Sequence, residues 1–458
     1  MNRLFLTLIT FCLFSFAENA KPNVIFILAD DMGFGGIHAN GTKYLETPHL
    51  DNLVAGGMNF TKGISNYPTC KPSRAAIISG LYGSRTHVFR VSNKHKGSEE
   101  LIRWKVPECL ELKAETFNLG RAMKNAGYAT ASYGKWHVSN QNKSESHPMA
   151  FGFDDAIVSS GAHYKFTAIP PVDCPDDVSS TEFFTDKAIE FMDKSVKEEK
   201  SFFLFLPFFL VHGPMDCRAD YIAHFKEKLK DIPQEKKDGK ELHVIAAMTK
   251  LLDDCVGKLN NKVKELGIED NTLIIFTSDN GSYHANLNGG LREKKGQVYE
   301  GGMRVPYIFK WPSKIKAGSV SNERICGLDI LPTLCELSKS EAPKLDGVSL
   351  LPLLSGITQE LDPRNIFCFY PKYARFNKKT KTWGDSWRNV IYSGDYKLID
   401  FSEYDRVELF DLHNDEKETK DISPVQPEKA QELKKTLALW LKDTKAPKLT
   451  PNKGFSLK

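Results

Sequence analysis

Two apolar runs, far apart in the chain, end in the same way. Asn23-Val24-Ile25-Phe26-Ile27-Leu28 is a continuous β-forming run of the kind buried on both faces of a parallel sheet, and it stops abruptly at Ala29-Asp30-Asp31-Met32-Gly33. Thr272-Leu273-Ile274-Ile275-Phe276-Thr277-Ser278 repeats the pattern and stops at Asp279-Asn280-Gly281. Between them, helical patterns alternate with short apolar runs. There is a helix over 119–127, a strand over 128–133, a helix over 183–194, a strand over 202–210 that closes on His212-Gly213-Pro214, and a long amphipathic helix over 243–266. Such alternation builds an α/β domain around a large, mostly parallel sheet flanked by helices. Ligands of these sheets bind beyond the carboxyl ends of the strands. Asp30, Asp31, Lys135, His137, His212, Asp279 and Asn280 all fall there, which predicts one composite site.

Past Leu361 the pattern changes. Short strands over 364–369, 387–392, 396–401 and 407–411 alternate with polar turns, and a charged helix over 427–442 follows. This reads as a smaller α+β subdomain on an antiparallel sheet, so the expected division is a domain over 21–361 and a subdomain over 362–458. A length of 458 residues exceeds one ordinary core. The net charge of +4, with no dense basic run, argues against a nucleic-acid partner.

Residues 1–20 read as an export signal. Asn2 and Arg3 form a short positive start, 4–16 is an apolar stretch too short to span a bilayer well, and Ala17 and Ala20 offer small residues for cleavage. The expected mature protein is exported, to a bacterial periplasm or the medium, without stable membrane insertion once the signal is removed. Of nine cysteines, Cys12 leaves with the signal, and the irregular spacing of the others holds no CxxC pair. That argues against zinc and against a disulfide-stapled scaffold. One disulfide at most is expected, for example Cys174 with Cys217.

The strand tips carry three carboxylates and a carboxamide: Asp30, Asp31, Asp279 and Asn280. Brought together, these charges repel unless a cation neutralises them, and all-oxygen ligands select a hard divalent ion. Calcium is favoured over magnesium because four side chains plus a substrate oxygen fill a large shell; separate helix caps and turns are the alternative. Lys135 and His137, at i and i+2 in Gly134-Lys135-Trp136-His137, share a face of an extended segment. Lys295 lies in Lys294-Lys295-Gly296-Gln297-Val298-Tyr299-Glu300-Gly301-Gly302, whose glycines permit a tight loop presenting Lys295 to an anion. No Walker A pattern is present to cradle a nucleotide.

Tyr67-Pro68-Thr69-Cys70-Lys71-Pro72-Ser73-Arg74-Ala75-Ala76 reads as a Pro-bounded loop that turns into a helix, with Ser73 as N-cap and Ala75 opening the first turn. A side chain there faces unpaired backbone N–H groups and the positive end of the helix dipole, with Arg74 close by. The setting suits attack on an anionic ester. Three readings stay open: an activated Cys70 thiolate, a phosphate-binding turn, or a modified cysteine.

Cys70-x-Pro72-Ser73-Arg74 resembles the signature of the type I, formylglycine-dependent sulfatases. Leu28-Ala29-Asp30-Asp31-Met32-Gly33, Thr47-Pro48-His49-Leu50-Asp51, Gly134-Lys135-Trp136-His137, Thr277-Ser278-Asp279-Asn280-Gly281, the Lys295 loop and Leu345-Asp346-Gly347-Val348-Ser349-Leu350 are similar to that family in the right order. The resemblance runs from about Pro22 to Ser355 and continues more weakly beyond. It implies an alkaline-phosphatase-like α/β fold and conversion of Cys70 to formylglycine by a formylglycine-generating or anaerobic sulfatase-maturing enzyme. It implies a calcium ion held by Asp30, Asp31, Asp279 and Asn280 and by the group at Cys70. By the same resemblance Arg74 stabilises the ionised nucleophile, Lys135 and Lys295 neutralise the sulfuryl group, His212 protonates the leaving alcohol, and His137 takes the proton whose loss releases sulfate. Three departures stand out. Lys71 replaces a more usual small residue, His212-Gly213-Pro214 matches loosely, and Ser159 or Ser160 is the candidate for a serine the family often adds to the sulfate pocket. The expected substrate is a sulfated carbohydrate, with Tyr373, Phe376, Trp383 and Trp387 as candidate stacking residues. A phosphomonoester or phosphonate ester hydrolase of the same superfamily and a non-catalytic sulfated-glycan binder are the alternatives.

Overall fold

Both apolar runs lie side by side at the centre of one sheet. In the computed structural model, which describes residues 21–93, 97–140, 143–159, 161–232 and 242–456, β1 (Asn23–Ala29) lies between β6 (Phe202–Pro207) and β7 (Thr272–Ser278) and runs parallel to both. On the β6 side follow β3 (Ala129–Gly134), β4 (Asp155–Ser159) and β5 (Ala168–Ile169); on the β7 side follow β8 (Tyr307–Lys310), β2 (Met58–Phe60) and β9 (Ser319–Ser321). Of these nine strands, β5 pairs antiparallel with β4, and β8 pairs antiparallel with both neighbours. The sheet is therefore mixed and mostly parallel, as the sequence predicts.

Alternate residues of β1 serve two cores. Val24, Phe26 and Leu28 pack with the helices Cys70–Ser79, Leu119–Asn125 and Ile330–Ser338, whereas Ile25, Ile27 and Ala29 pack with Pro48–Gly56, Ser180–Lys197 and Leu242–Glu265. A strand buried on both faces needs an unbroken apolar run, and that is why this one was legible. The helix Ser180–Lys197 starts earlier than its apolar pattern because Ser179 and Glu182 form a capping box.

The first core continues into a four-stranded antiparallel sheet in the order β10 (Asn365–Tyr370), β13 (Arg388–Ser393), β14 (Tyr396–Phe401), β15 (Arg406–Asp411). The helix Pro427–Asp443 covers it, with Trp440 stacked on Phe367 at 4.5 Å. Between β10 and β13 the chain makes a two-stranded ribbon, β11 (Ala374–Asn377) with β12 (Thr382–Asp385), which the sequence reading did not separate.

The expected Cys174–Cys217 bridge does not form. Both thiols are free: Cys217 is buried, and the Cys174 Sγ lies against the Pro175 and Val178 carbonyls of its own turn. Residues 1–20 with Cys12, and Ser160, lie outside the described residues. Among those described, no helix is long and apolar enough to cross a membrane.

Candidate active site

Strand register brings the acidic residues together. Pairing of β1 with β7 sets Ala29 opposite Ser278, so Asp30 and Asp279, the next residues, leave the sheet side by side. Asp279 N–H donates to Ala29 O (3.1 Å), and Asp31 N–H donates to Asp279 Oδ1 (3.2 Å). On the other flank, Asp30 N–H donates to Leu210 O (2.9 Å) and Lys135 N–H to Pro207 O (2.7 Å). That close approach needs Gly134, where φ is 133° and a Cβ would stand 2.1 Å from Pro207 O. Asp31 and His137 hold left-handed backbone at φ 61° and 55°. Such conformations are costly for residues with a Cβ and gather at functional sites.

Cys70 opens the helix Cys70–Ser79, after Thr69 in extended backbone. The expectation that Ser73 caps this helix is corrected: it lies inside the first turn, and its buried hydroxyl has no hydrogen-bond partner. The helix starts earlier because Pro72 falls in the first turn, where no intrahelical N–H is required. Cys70 Sγ and one carboxylate oxygen each of Asp30 and Asp279 lie within 4.8 Å of one another.

Three cations answer the three carboxylates. Arg74 is 1% exposed; its Nε donates to Asp279 Oδ2 (2.7 Å), its Nη1 donates to Lys135 O (2.8 Å), and its Nη2 stands 3.7 Å from Asp30 Oδ1. Lys135 Nζ donates to Asp30 Oδ2, and Lys295 Nζ lies 2.6 Å from Asp31 Oδ1. The Lys295 loop reaches the site because Gly296 N–H donates to Pro68 O (2.7 Å) and Lys295 N–H to Ser282 O (3.0 Å). Asn280 Nδ2 donates to Asp31 Oδ1 (2.8 Å). Asn280 Oδ1 and Asp30 Oδ1, both buried, have no hydrogen-bond partner. With Asp31 and Asp279 they are a hard-oxygen set that can hold a divalent cation.

Burial pushes the Asp279 carboxyl up to about 6, with the Asp30 charge adding to it. Burial also opposes ionisation of Asp30, but Lys135 and Arg74 outweigh it and hold that carboxyl well below the usual range. The Cys70 thiol is raised by burial despite Lys135 and Lys295, which counts against an activated thiolate. Burial, with Lys135 and Arg74 beside it, pushes His137 down to about 3 and keeps it neutral. His212 Nδ1 lies 2.6 Å from Gly213 O, which accepts its proton, and Nε2 stands 3.8 Å from Asp31 Oδ2.

This arrangement can bind a tetrahedral anion against lysines, arginine and a metal. The sequence profile of the sulfatase family matches residues 22–340, most of the chain. The chain belongs to the sulfatase family. As a member it is a sulfuric ester hydrolase. The C-terminal profile of N-sulphoglucosamine sulphohydrolase matches residues 290–446 of this sulfatase. Over 511 residues it is 27% identical to a sulfatase of Formosa agariphila, covering 94% of this chain and 90% of that one. It is 28% identical over 416 residues to N-acetylgalactosamine-6-sulfatase of Mus musculus, covering 82% of this chain and 75% of the mouse protein. The structure of Ps i-CgsB in complex with k-i-k-neocarrahexaose is similar in fold, with a TM-score of 0.76 at 24% identity over 92% of each chain.

Asp30, Asp31, Cys70, Arg74, Lys135, His137, His212, Asp279, Asn280 and Lys295 thus gather in one place, and one more residue stands beside them that the sequence did not single out. His163 is buried and its Nε2–H donates to His212 O at 2.7 Å. It sits in no sequence motif and arrives by a remote contact. Ser159 is buried at the end of β4. Among the aromatic candidates, Trp387 and Tyr373 are buried, with Trp387 edge-on to Phe369 and the Tyr373 hydroxyl accepting from Trp104 N–H, so neither offers a face to a sugar.

Proposed function

We propose that this sulfatase removes O-sulfate groups from a carbohydrate, using formylglycine made from Cys70 and a calcium ion held by Asp30, Asp31, Asp279 and Asn280. One observation carries the reading. The buried, unpartnered oxygens of Asp30 and Asn280 stand beside a cysteine at a helix start, inside a ring of Arg74, Lys135 and Lys295. Those orphaned oxygens fit a cation. The buried, protonated thiol fits a residue that gains reactivity only by modification. Together the two groups would supply an attacking oxygen and the positive charge that lowers its pKa and polarises the ester.

The chain's own residues do the rest. Arg74, locked on Asp279, presents Nη2 to the nucleophile position, and the Lys135 and Lys295 ammoniums meet charge that grows on the sulfuryl oxygens in the transition state. His212 keeps one proton on Nδ1 through Gly213 O, so a second, on Nε2, can pass to the leaving alcohol. His163 holds that segment by the His212 carbonyl. His137, neutral and with a buried Nδ1 that has no hydrogen-bond partner, accepts the proton whose loss frees sulfate. The carbohydrate class is supported by the name of the mouse relative, an N-acetylgalactosamine-6-sulfatase. A division into a catalytic domain over 21–361 and a subdomain over 362–458, export to a periplasm or the medium, and maturation by a formylglycine-generating or anaerobic enzyme belong to the same proposal.

The test is to co-express the chain with a formylglycine-generating enzyme and to weigh the peptide carrying Cys70. The protein is then assayed on sulfated sugars and on matched aryl sulfate and phosphate esters. Formylglycine at position 70 with sulfate release from sugars is the expected result. A strong phosphate preference, or full hydrolysis by Cys70→Ala, would overturn it.

A further inference from the structure

The loop that carries Lys295 has left-handed backbone on either side of it, at Glu293 (φ 63°) and at Gly296 (φ 87°). At Gly296 the space a Cβ would take is open, with no atom of the described residues within 4 Å. Two bonds, from Lys295 N–H to Ser282 O and from Gly296 N–H to Pro68 O, fasten the main chain to the large domain. They fix where the chain runs, but a long, flexible side chain next to a glycine keeps wide freedom unless its neighbours restrain it. The Lys295 ammonium pairs with Asp31 Oδ1 at 2.6 Å, a carboxylate it would share with the cation, so the loop itself has to set its place.

The C-terminal part of the chain grips this loop on both sides of Lys295. Two residues after it, the buried Gln297 accepts at Oε1 from Nη1 of the buried Arg388 (2.6 Å). Two residues before it, Glu293 Oε2 stands 3.7 Å from Arg375 Nη1. Both arginines meet on one carboxylate. Asp385, buried at the end of β12, accepts from Arg375 Nε and Nη2 at 2.8 Å each and pairs with Arg388 Nη2 at 3.0 Å. The two arms differ in strength. Arg375 is exposed, so its pair with Glu293 contributes little. The bond from Arg388 to Gln297 is buried and charge-assisted, and a planar guanidinium that spans an amide oxygen and a carboxylate is a rigid strut.

We propose that Asp385 and Arg388 are positioning residues for the reaction: acting through Gln297, they set the Lys295 loop, and the β11–β12 ribbon braces it from outside the large domain. The proposal rests on the reading above, in which Lys295 neutralises charge on the sulfuryl group in the transition state. A lysine that meets developing charge has to be in place before that charge appears, and a misplacement of about 1 Å costs about a hundredfold in rate. Loss of the brace therefore lowers kcat and leaves KM alone, because the interaction it serves is made in the transition state. The chemistry of the large domain then depends on the C-terminal sheet, since Arg388 is the first residue of β13.

Kinetics of protein that carries formylglycine, on nitrophenyl sulfate and on a monosulfated hexosamine, separate a brace from a merely structural contact. Gln297→Leu removes the acceptor but leaves the Arg388–Asp385 pair, so it reports even where Arg388→Met fails to fold. Each should lower kcat about tenfold or more and keep KM within about twofold; Gln297→Glu, which retains an acceptor, should stay within about threefold of wild type. In a Lys295→Ala background Gln297→Leu should cost less than about twofold, because the group it positions is gone. Amide exchange at Lys295 and Gly296 should quicken about tenfold in Gln297→Leu and stay unchanged in β1. Unchanged exchange in the loop, unchanged kcat in Gln297→Leu, a rise in KM with kcat kept, or the same tenfold loss in the Lys295→Ala background would each overturn the brace. Failure of the reading beneath it would look different and would sink both: Lys295→Ala would keep full turnover, or wild type carrying formylglycine would hydrolyse neither substrate.

Discussion

Lys295 and Glu300 share one short loop, yet they belong to two buried charge clusters of opposite character. Around Glu300 the carboxylates are met by the cluster's own cations, although the buried guanidinium nitrogens of Arg324, over the Tyr392 ring at 4.9 Å, have no hydrogen-bond partner. Glu300 Oε1 accepts from the Tyr392 hydroxyl (2.9 Å) and Lys397 Nζ (3.1 Å), its Oε2 accepts from Arg304 Nε (2.8 Å), and its N–H donates to Glu418 Oε2 (2.6 Å). Lys397 completes the ring against Glu418 Oε1 at 2.7 Å. Around Lys295 the charges are as deeply buried, but Asp30 Oδ1, Asn280 Oδ1 and Arg74 Nη2 have no hydrogen-bond partner, and Asp31 and His137 sit in left-handed backbone. A cluster whose carboxylates are met by its own cations joins the C-terminal sheet to the large domain. One that stays unsatisfied holds its binding capacity in reserve at a cost in stability. Activity should therefore fail without stability in the second, and stability without any direct loss of chemistry in the first.

Asp279→Asn should show the largest effect. It removes a carboxylate that burial and Asp30 already push up to about 6. Hydrolysis should fall by about 10³-fold or more, while the urea midpoint in chelator stays level or rises. A marked fall in that midpoint would make Asp279 a structural charge like Glu300 and erase the contrast. Lys397→Met should do the reverse, leaving Glu300 and Glu418 buried without their shared cation. A loss of about 3–5 kcal/mol by urea unfolding is expected. A smaller loss would mean that Arg304 and Tyr392 carry the cluster alone.

Cation removal probes the same contrast less severely. Dialysis against EGTA should abolish turnover, and calcium should restore it. Calcium at a hundred times its Kd should raise wild-type stability by about 2.7 kcal/mol. Asn280→Ala should lose most of that gain, because it deletes one of the two orphaned oxygens, while Lys397→Met, though weaker overall, should keep it. A gain retained in full by Asn280→Ala would move the cation elsewhere.

These contrasts were legible in the sequence only in part. Asp30, Asp31, Asp279 and Asn280 could be read because each follows a strand buried on both faces, whose unbroken apolar run marks where the polar end begins. The three-residue strands β2 and β9 carry too little pattern to be read, and they form only because β8 offers β2 an edge and β2 offers one to β9. The start of the Cys70 helix was misplaced because Pro72 looks like a loop residue, although a first turn accepts it. Glu300 was visible as a letter of the loop motif, but its ring of Tyr392, Lys397 and Glu418 comes from strands and turns remote in the chain. His163 was missed for the same reason: nothing local distinguishes it from any other buried histidine until the His212 carbonyl is beside it.

The smallest effect is a pH dependence confined to the Glu300 cluster. Burial pushes the Glu418 carboxyl up to about 7, Lys397 pulling against it and Glu300 adding to it. The folded protein thus holds a proton there that the unfolded chain releases near 4.5. The resulting stabilisation is complete below that value and is lost as the pH rises through about 7. Glu300 works the other way. Burial opposes its ionisation, but Lys397 and Arg304 prevail and hold it well below its ordinary value of 4.5, so its contribution is full above 4.5 and is lost only in stronger acid. Between about pH 5 and pH 8, Glu418 is the member of the ring that titrates. Glu418→Gln keeps an oxygen for the Glu300 N–H and removes the titration. The difference in urea midpoint between wild type and Glu418→Gln should favour the wild type at the acid end of that window and shift toward the variant at the alkaline end. A difference that stays flat would mean that Glu418 is ionised throughout. The ring would then carry its charge as openly as the active site does, and satisfaction of charge would no longer separate the two clusters.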